Sequence, residues 1–140
     1  MGICNGFQIL TESALLPGVL MRNAGLKYIC KNVELTVEAT DSPFTSNYEK
    51  GQIITAPIAH HDGNYSADTE TLKMLRNDGR ITFKYIATPN GSMDDIAGIL
   101  STNKRVLGMM PHPERLNDHE LGGADGVHFF EGIANALVSA

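Results

Sequence analysis

The first dozen residues, Met1-Gly2-Ile3-Cys4-Asn5-Gly6-Phe7-Gln8-Ile9-Leu10-Thr11-Glu12, constrain the fold more than any other stretch. A short apolar run passes into a helical pattern through one cysteine between two glycines. This spelling predicts a strand-to-helix elbow, in which a sharp turn aims one side chain into a cleft. Gly2 and Gly6 would remove Cβ atoms that crowd such a turn. The helix start would place free N–H groups and a positive dipole end near the sulfur, lowering the thiol pKa and offering donors to an oxyanion. The competing reading is a buried structural cysteine at the start of a core helix.

A second motif bears on that choice. In Pro111-His112-Pro113-Glu114 the two prolines disfavour helix, and extended backbone would put His112 and Glu114 on one side. A carboxylate beside an imidazole takes one ring N–H and leaves the other nitrogen free to accept a proton from a thiol. Cys4, His112 and Glu114 therefore fit a catalytic triad. Read alone, the same tetrapeptide is a surface turn with Glu114 paired to Arg115.

The rest of the chain supplies one α/β domain over residues 1–140, with no repeat and no dividing linker. Helical spacing runs from Asn5 to Leu16, before Pro17-Gly18. Leu26–Cys30 and Val33–Val37 read as strand, as two runs or one long bent one. Thr45–Gly51 reads as an exposed loop. Gln52–Ala59 is β-branched and carries Pro57, which suits an edge strand or a strand end. It delivers the chain to His60-His61-Asp62-Gly63-Asn64-Tyr65, a polar binding loop. Asp68 caps a helix containing Leu72 and Leu75, which Asn77-Asp78-Gly79 ends.

Ile81, Phe83 and Tyr85 alternate as a further strand, and Pro89-Asn90-Gly91-Ser92 is a loop. Ile96–Leu100 and Val106–Met110 read as a β-hairpin running into the His-Glu motif. Val127, Phe130, Ile133 or Ala134, Leu137 and Val138 form the stripe of a C-terminal helix packed on the sheet. Met109 and Met110 read as core, Cys30 as an ordinary strand residue, and His119 and His128 as solvent or packing residues.

A net charge of −5 with scattered Lys and Arg argues against a nucleic-acid surface, and no stretch reads as membrane-spanning. Two cysteines and no signal-peptide pattern point to a reducing cytoplasm, with a Cys4–Cys30 disulfide disfavoured. Adjacent His60 and His61 lack a third ligand at metal spacing, so no metal site is expected.

Gly2-Ile3-Cys4-Asn5-Gly6-Phe7-Gln8 together with Pro111-His112-Pro113-Glu114 resembles the class I (triad) glutamine amidotransferases. Leu15-Leu16-Pro17-Gly18, Pro89-Asn90-Gly91-Ser92 and Gly108-Met109-Met110 look like the purine-synthesis branch of that family, and the likeness spans essentially the whole chain. The resemblance implies a flavodoxin-like α/β domain with a mainly parallel sheet, flanking helices and an antiparallel hairpin. It implies that Cys4 attacks the glutamine carboxamide, that His112 serves as base and acid, and that Glu114 orients it. Asn5 would give a backbone oxyanion N–H, with Gly6, Gln8, His60 and Asp62 at the substrate and the last two at its amino-acid end. A glycine is commoner in the family where His61 stands.

The same resemblance implies no cofactor in this chain. Its ammonia would go to a synthetase subunit that uses ATP and Mg to amidinate formylglycinamide ribonucleotide, with a small accessory subunit in the complex. Family members place several βα units before the elbow strand and draw a second oxyanion N–H from them. The expectation is therefore a chain lacking its N-terminal part, with a bared core face that drives association or instability. One missing oxyanion donor costs roughly 2.7 to 4 kcal/mol of transition-state stabilisation. A non-catalytic interaction module and another thiol hydrolase on the same scaffold remain open alternatives.

Overall fold

The structure is a computed structural model and describes residues 1–139. The elbow is present: strand β1 (Gly2–Ile3) turns at Cys4 into helix α1 (Asn5–Glu12). Strands β2 (Val19–Met21), β3 (Ile29–Val37), β4 (Ile53–His60) and β5 (Asn64–Ser66) follow, then helix α2 (Thr69–Asn77). Strands β6 (Ile81–Tyr85), β7 (Ile96–Leu100) and β8 (Leu107–Met109) lead to helix α3 (Val127–Val138).

Six strands form one sheet in the order β1-β8-β7-β6-β3-β4, and β2 pairs with β5 in a small separate ribbon. The α/β class and the β7–β8 hairpin match the sequence reading. The expected parallel character is carried by β1 against β8 alone, since β8 with β7, β7 with β6, β6 with β3 and β3 with β4 are all antiparallel. The reason is connectivity. Parallel neighbours need a long crossover, and here almost the whole chain serves as the crossover between β1 and β8.

Several boundaries differ from the sequence reading. Helix α1 stops at Glu12 because Ala14 takes a left-handed φ of 60° and the Leu16 N–H bonds back to the Leu10 carbonyl at 2.9 Å. That early stop lets Leu16 fold into the core, where it is buried. The two candidate runs around Cys30 are one nine-residue strand. The Thr45–Gly51 stretch, expected as an exposed loop, buries Thr45 and Tyr48, and the Tyr48 hydroxyl donates to the Asp125 carbonyl at 2.6 Å. The ribbon of β2 and β5 was not legible, because three-residue strands carry no alternation.

Hydrophobic clusters lie on both faces of the sheet. Leu35, Val37, Ile58, Phe83 and Phe129 centre one, and Phe7, Leu16, Tyr65, Leu75 and Ile99 centre the other. Each such side chain contributes on the order of 1.5–3 kcal/mol by leaving water. Helix α3 docks by a face that overlaps the expected stripe at Phe130 and Ile133 but leaves its C-terminal end exposed. Phe129 and Gly132 are buried and Phe130 and Ile133 pack partly against the core, while Leu137 and Val138 are exposed. Gly132 permits this approach, since a Cβ there would lie 2.6 Å from the Pro43 carbonyl oxygen. The Asp68 cap on α2 is as expected, its carboxylate accepting the Thr71 N–H at 2.7 Å.

Strand β4 is the far edge of the sheet from β1, yet the chain leaving β8 returns to it. The His112 N–H bonds the Pro57 carbonyl at 2.8 Å, and Cys4 Sγ meets the Ala59 carbonyl at 3.7 Å. The sheet therefore curls until its two edges share a seam. In an antiparallel strand the N–H and C=O of one residue point the same way. Because the Pro57 carbonyl points outward to His112, its missing N–H would also have pointed outward, and the proline removes no bond to β3.

A Cβ at Gly108 would run into the Phe7 ring and Leu16 Cδ1. Gly108→Ala is expected to destabilise the fold by about 1–3 kcal/mol through overpacking, read from the urea midpoint.

Candidate active site

Cys4 sits at φ 53° and ψ −108°, backbone that a non-glycine residue seldom adopts. Its surroundings over-determine it. The Cys4 N–H bonds the Met109 carbonyl at 2.8 Å, extending the β1 ladder, and its carbonyl accepts the Phe7 N–H at 2.9 Å, starting α1. Gly2 is required here, since a Cβ would strike the Gly6 backbone. Gly6 is not required for space: a Cβ there meets nothing within 4 Å.

The sulfur faces an open cleft of about 590 Å³, lined among others by Asn5, Gln8, Cys30, His60, Asp62, His112 and Arg115. Gly6 is not part of that lining. Burial pushes the Cys4 thiol pKa up from its ordinary value of 9.0, outweighing the favourable Asn5 backbone N–H and the Arg115 charge. This corrects the expectation of a lowered value: the helix start helps the thiolate, but desolvation wins.

His112 is buried, and its Nδ1 lies 2.6 Å from Glu114 Oε1. The pair forms as expected, by a different local route. His112 precedes a single 3-10 turn, Pro113–Arg115, so the two side chains meet around a turn and not along an extended strand. Arg115 Nε is 3.8 Å from the same carboxylate oxygen, a looser contact than that of His112. His112 Nε2 is buried without a hydrogen-bond partner among the described residues. The Cys4 thiol instead bonds the Ala59 carbonyl, so the thiol-imidazole link is open in this arrangement.

The other sequence-predicted residues converge on the same cleft. Gln8 Nε2 donates to the Asp62 carbonyl at 2.7 Å, tying α1 to the loop after β4. The Asp62 carboxylate forms an exposed ion pair with Arg22, 3.2 Å from Nε. His60 ends β4 and is buried, and its burial pushes its pKa down. His61 is exposed, lines the same cleft and packs edge-on to Tyr28, with ring centroids 5.5 Å apart. Cys30, read as an ordinary strand residue, is exposed on the cleft wall. No group of three His, Cys, Asp or Glu among the described residues is placed to hold a metal ion.

Three polar residues behind the cleft escaped the sequence reading. Asn23 Nδ2 donates to the Lys27 and His60 carbonyls, both at 2.9 Å, while its Oδ1 accepts the Gly63 N–H at 3.1 Å. Asn90 Nδ2 donates to the Gly63 carbonyl at 2.8 Å, and Ser92 Oγ accepts the Tyr65 N–H at 3.0 Å. All three are buried. Asn23 carried only turn composition, and Pro89-Asn90-Gly91-Ser92 carried a family likeness; neither signal separates a solvated turn residue from a buried brace.

The sequence profile of the CobB/CobQ-like glutamine amidotransferase domain matches residues 1–121. The chain belongs to that family. It is 59% identical over 140 residues to the phosphoribosylformylglycinamidine synthase subunit PurQ of Ruegeria sp. (strain TM1040), covering 100% of this chain and 63% of that protein. The corresponding subunit of Ruegeria pomeroyi is 61% identical with the same coverage. Among solved structures, that of PurLQS from Thermotoga maritima superposes with a TM-score of 0.89 at 44% identity, over 98% of this chain and 61% of that chain. The chain thus spans about 63% of the length of the curated relatives it matches. This glutamine amidotransferase domain shares with the Thermotoga maritima chain the architecture that the elbow and hairpin foretold.

Because burial holds the Cys4 proton, alkylation of Cys4 by iodoacetamide should follow a pH profile whose midpoint lies above 9.0. Peptide mapping reads Cys4 separately from Cys30. A midpoint well below that value contradicts the assigned balance of burial and helix field.

Proposed function

We propose that this domain is the glutaminase part of phosphoribosylformylglycinamidine synthase. It hydrolyses glutamine through a Cys4 thioester and passes ammonia to a synthetase subunit. The observation carrying this reading is the meeting, in one cleft, of a strained Cys4 elbow and the His112–Glu114 pair. Relatives bearing that name at about 60% identity support the substrate and pathway.

In this mechanism Cys4 Sγ rotates from the Ala59 carbonyl toward His112 Nε2, which takes its proton. The thiolate attacks the carboxamide carbon, and the oxyanion that forms receives the Asn5 backbone N–H. Glu114 accepts the His112 Nδ1–H and stabilises the imidazolium, which then protonates the departing ammonia. Water, deprotonated by His112, cleaves the thioester to give glutamate. Gln8, His60 and Asp62 hold the substrate and its loop. Gly6, without a cleft-lining surface, contributes through the helix backbone.

The domain needs no cofactor of its own. ATP and Mg act at the synthetase subunit, which with a small accessory subunit completes a cytoplasmic complex. No helix among the described residues is long and apolar enough to cross a membrane.

Full-length protein supplied with the synthetase should hydrolyse glutamine and form a covalent adduct with a glutamine-like electrophile at Cys4. Cys4→Ala should reduce turnover by at least about 10⁴-fold, the scale seen when a nucleophile of a catalytic triad is removed. Absence of adduct in the wild type leaves the interaction-module reading, and peptide cleavage without glutamine cleavage leaves the other hydrolase.

A further inference from the structure

The cleft contains a second oriented imidazole. His60 is only 3% exposed, and its Nδ1 lies 3.0 Å from Asn23 Oδ1. The direction of that hydrogen bond follows from the other bonds of Asn23. Its Nδ2 faces two carbonyl oxygens, from Lys27 and His60, and can only donate. Its Oδ1 takes the Gly63 N–H and can only accept. His60 Nδ1 therefore carries a ring proton, and in the neutral ring, which burial favours, Nε2 presents a bare lone pair. That Nε2 is sealed from solvent and has no partner among the described residues. A buried acceptor left unpaired is costly and uncommon. Room for the ring is kept by Gly63, where a Cβ would collide with it.

His112 and His60 differ in what holds Nδ1. Glu114 is a carboxylate and stabilises an imidazolium at His112. Asn23 is a carboxamide and cannot do the same for His60. One ring is built to take up a proton, and the other to remain a neutral acceptor. Burial works in the same direction at His60.

We propose that His60, held in its Nδ1–H tautomer by Asn23, accepts a hydrogen bond from the carboxamide N–H of bound glutamine, with Asn23 as the positioning residue. This rests on the glutaminase reading and moves His60 from the amino-acid end of the substrate to its reacting end. Ala59, its chain neighbour, places its carbonyl 3.7 Å from Cys4 Sγ, the atom that meets the carboxamide carbon. His60 and His112 line the same cleft as Cys4. Asp62 is the carboxylate of the cleft lining and suits the substrate ammonium, whereas an uncharged buried acceptor suits an uncharged donor. Nε2 is closed to water, so the substrate reaches it by pressing the cleft wall aside. Glutamate would set an oxygen lone pair against Nε2, so the same contact separates substrate from product.

The test uses full-length protein with its synthetase. In His60→Leu, kcat/KM for glutamine should fall relative to that for glutamate γ-methyl ester, which acylates the same thiol without an amide N–H. The amide-to-ester ratio should drop about tenfold or more, the scale of one lost hydrogen bond to a buried group. Equal losses on both substrates overturn the proposal. Asn23→Asp should charge His60, turn Nε2 into a donor and tighten glutamate inhibition by about tenfold; unchanged inhibition overturns it. Nitrogen-15 NMR of the wild type must show His60 protonated at Nδ1 and bare at Nε2, and the opposite tautomer also overturns it, whether or not either variant folds. A wild type that hydrolyses neither compound overturns the glutaminase reading and this inference together, whereas equal losses with an active wild type overturn this inference alone.

Discussion

The outward carbonyls of β4 are the contact on which the site depends. Pro57 and Ala59 belong to the last strand of the sheet, and their carbonyl oxygens receive groups delivered from its other end. One takes the His112 N–H at 2.8 Å, and the other takes the Cys4 thiol at 3.7 Å. A curled sheet thus brings together a thiol and an imidazole separated by most of the chain. The proline at position 57 suits this seam, because the N–H it lacks would have had no ladder partner. Each backbone bond at the seam is modest alone, about 0.5–1.5 kcal/mol net, so the seam acts chiefly by fixing position.

Around the seam, burial competes with polarity at every reactive atom. Cys4 is held in strained backbone by the Met109 carbonyl on one side and the first turn of α1 on the other. Burial pushes its thiol pKa up against the pull of the Asn5 backbone N–H and the Arg115 charge. His112 and His60 each have one nitrogen oriented by a side chain and the other buried without a partner among the described residues. Such unpaired atoms are costly in a folded interior, and they collect where a substrate is expected to supply the missing partners.

Local signals were the legible part of the sequence. The elbow, the Asp68 cap, the β7–β8 hairpin and the alternating Ile81-Phe83-Tyr85 strand depend on neighbours within a few residues, and the structure carries all four. The His112–Glu114 pair was found for a reason that proved different, since a tight turn and not an extended strand brings the two together. The role of Gly6 was misjudged because spacing does not reveal whether a Cβ would meet anything. Closure of the sheet was invisible, as it joins Cys4 to Ala59 across a separation of 55 residues. Asn23 was invisible for another reason: a buried amide that braces His60 has the same letter as a solvated amide in a turn.

The central claim is that the sheet edges meet at His112 and β4, and amide hydrogen exchange tests it directly. The His112 N–H, although it lies in an irregular Pro-rich segment, is predicted to exchange as slowly as core amides of the sheet, because Pro57 holds it inside the seam. Exchange at the rate of an exposed loop amide would contradict the account.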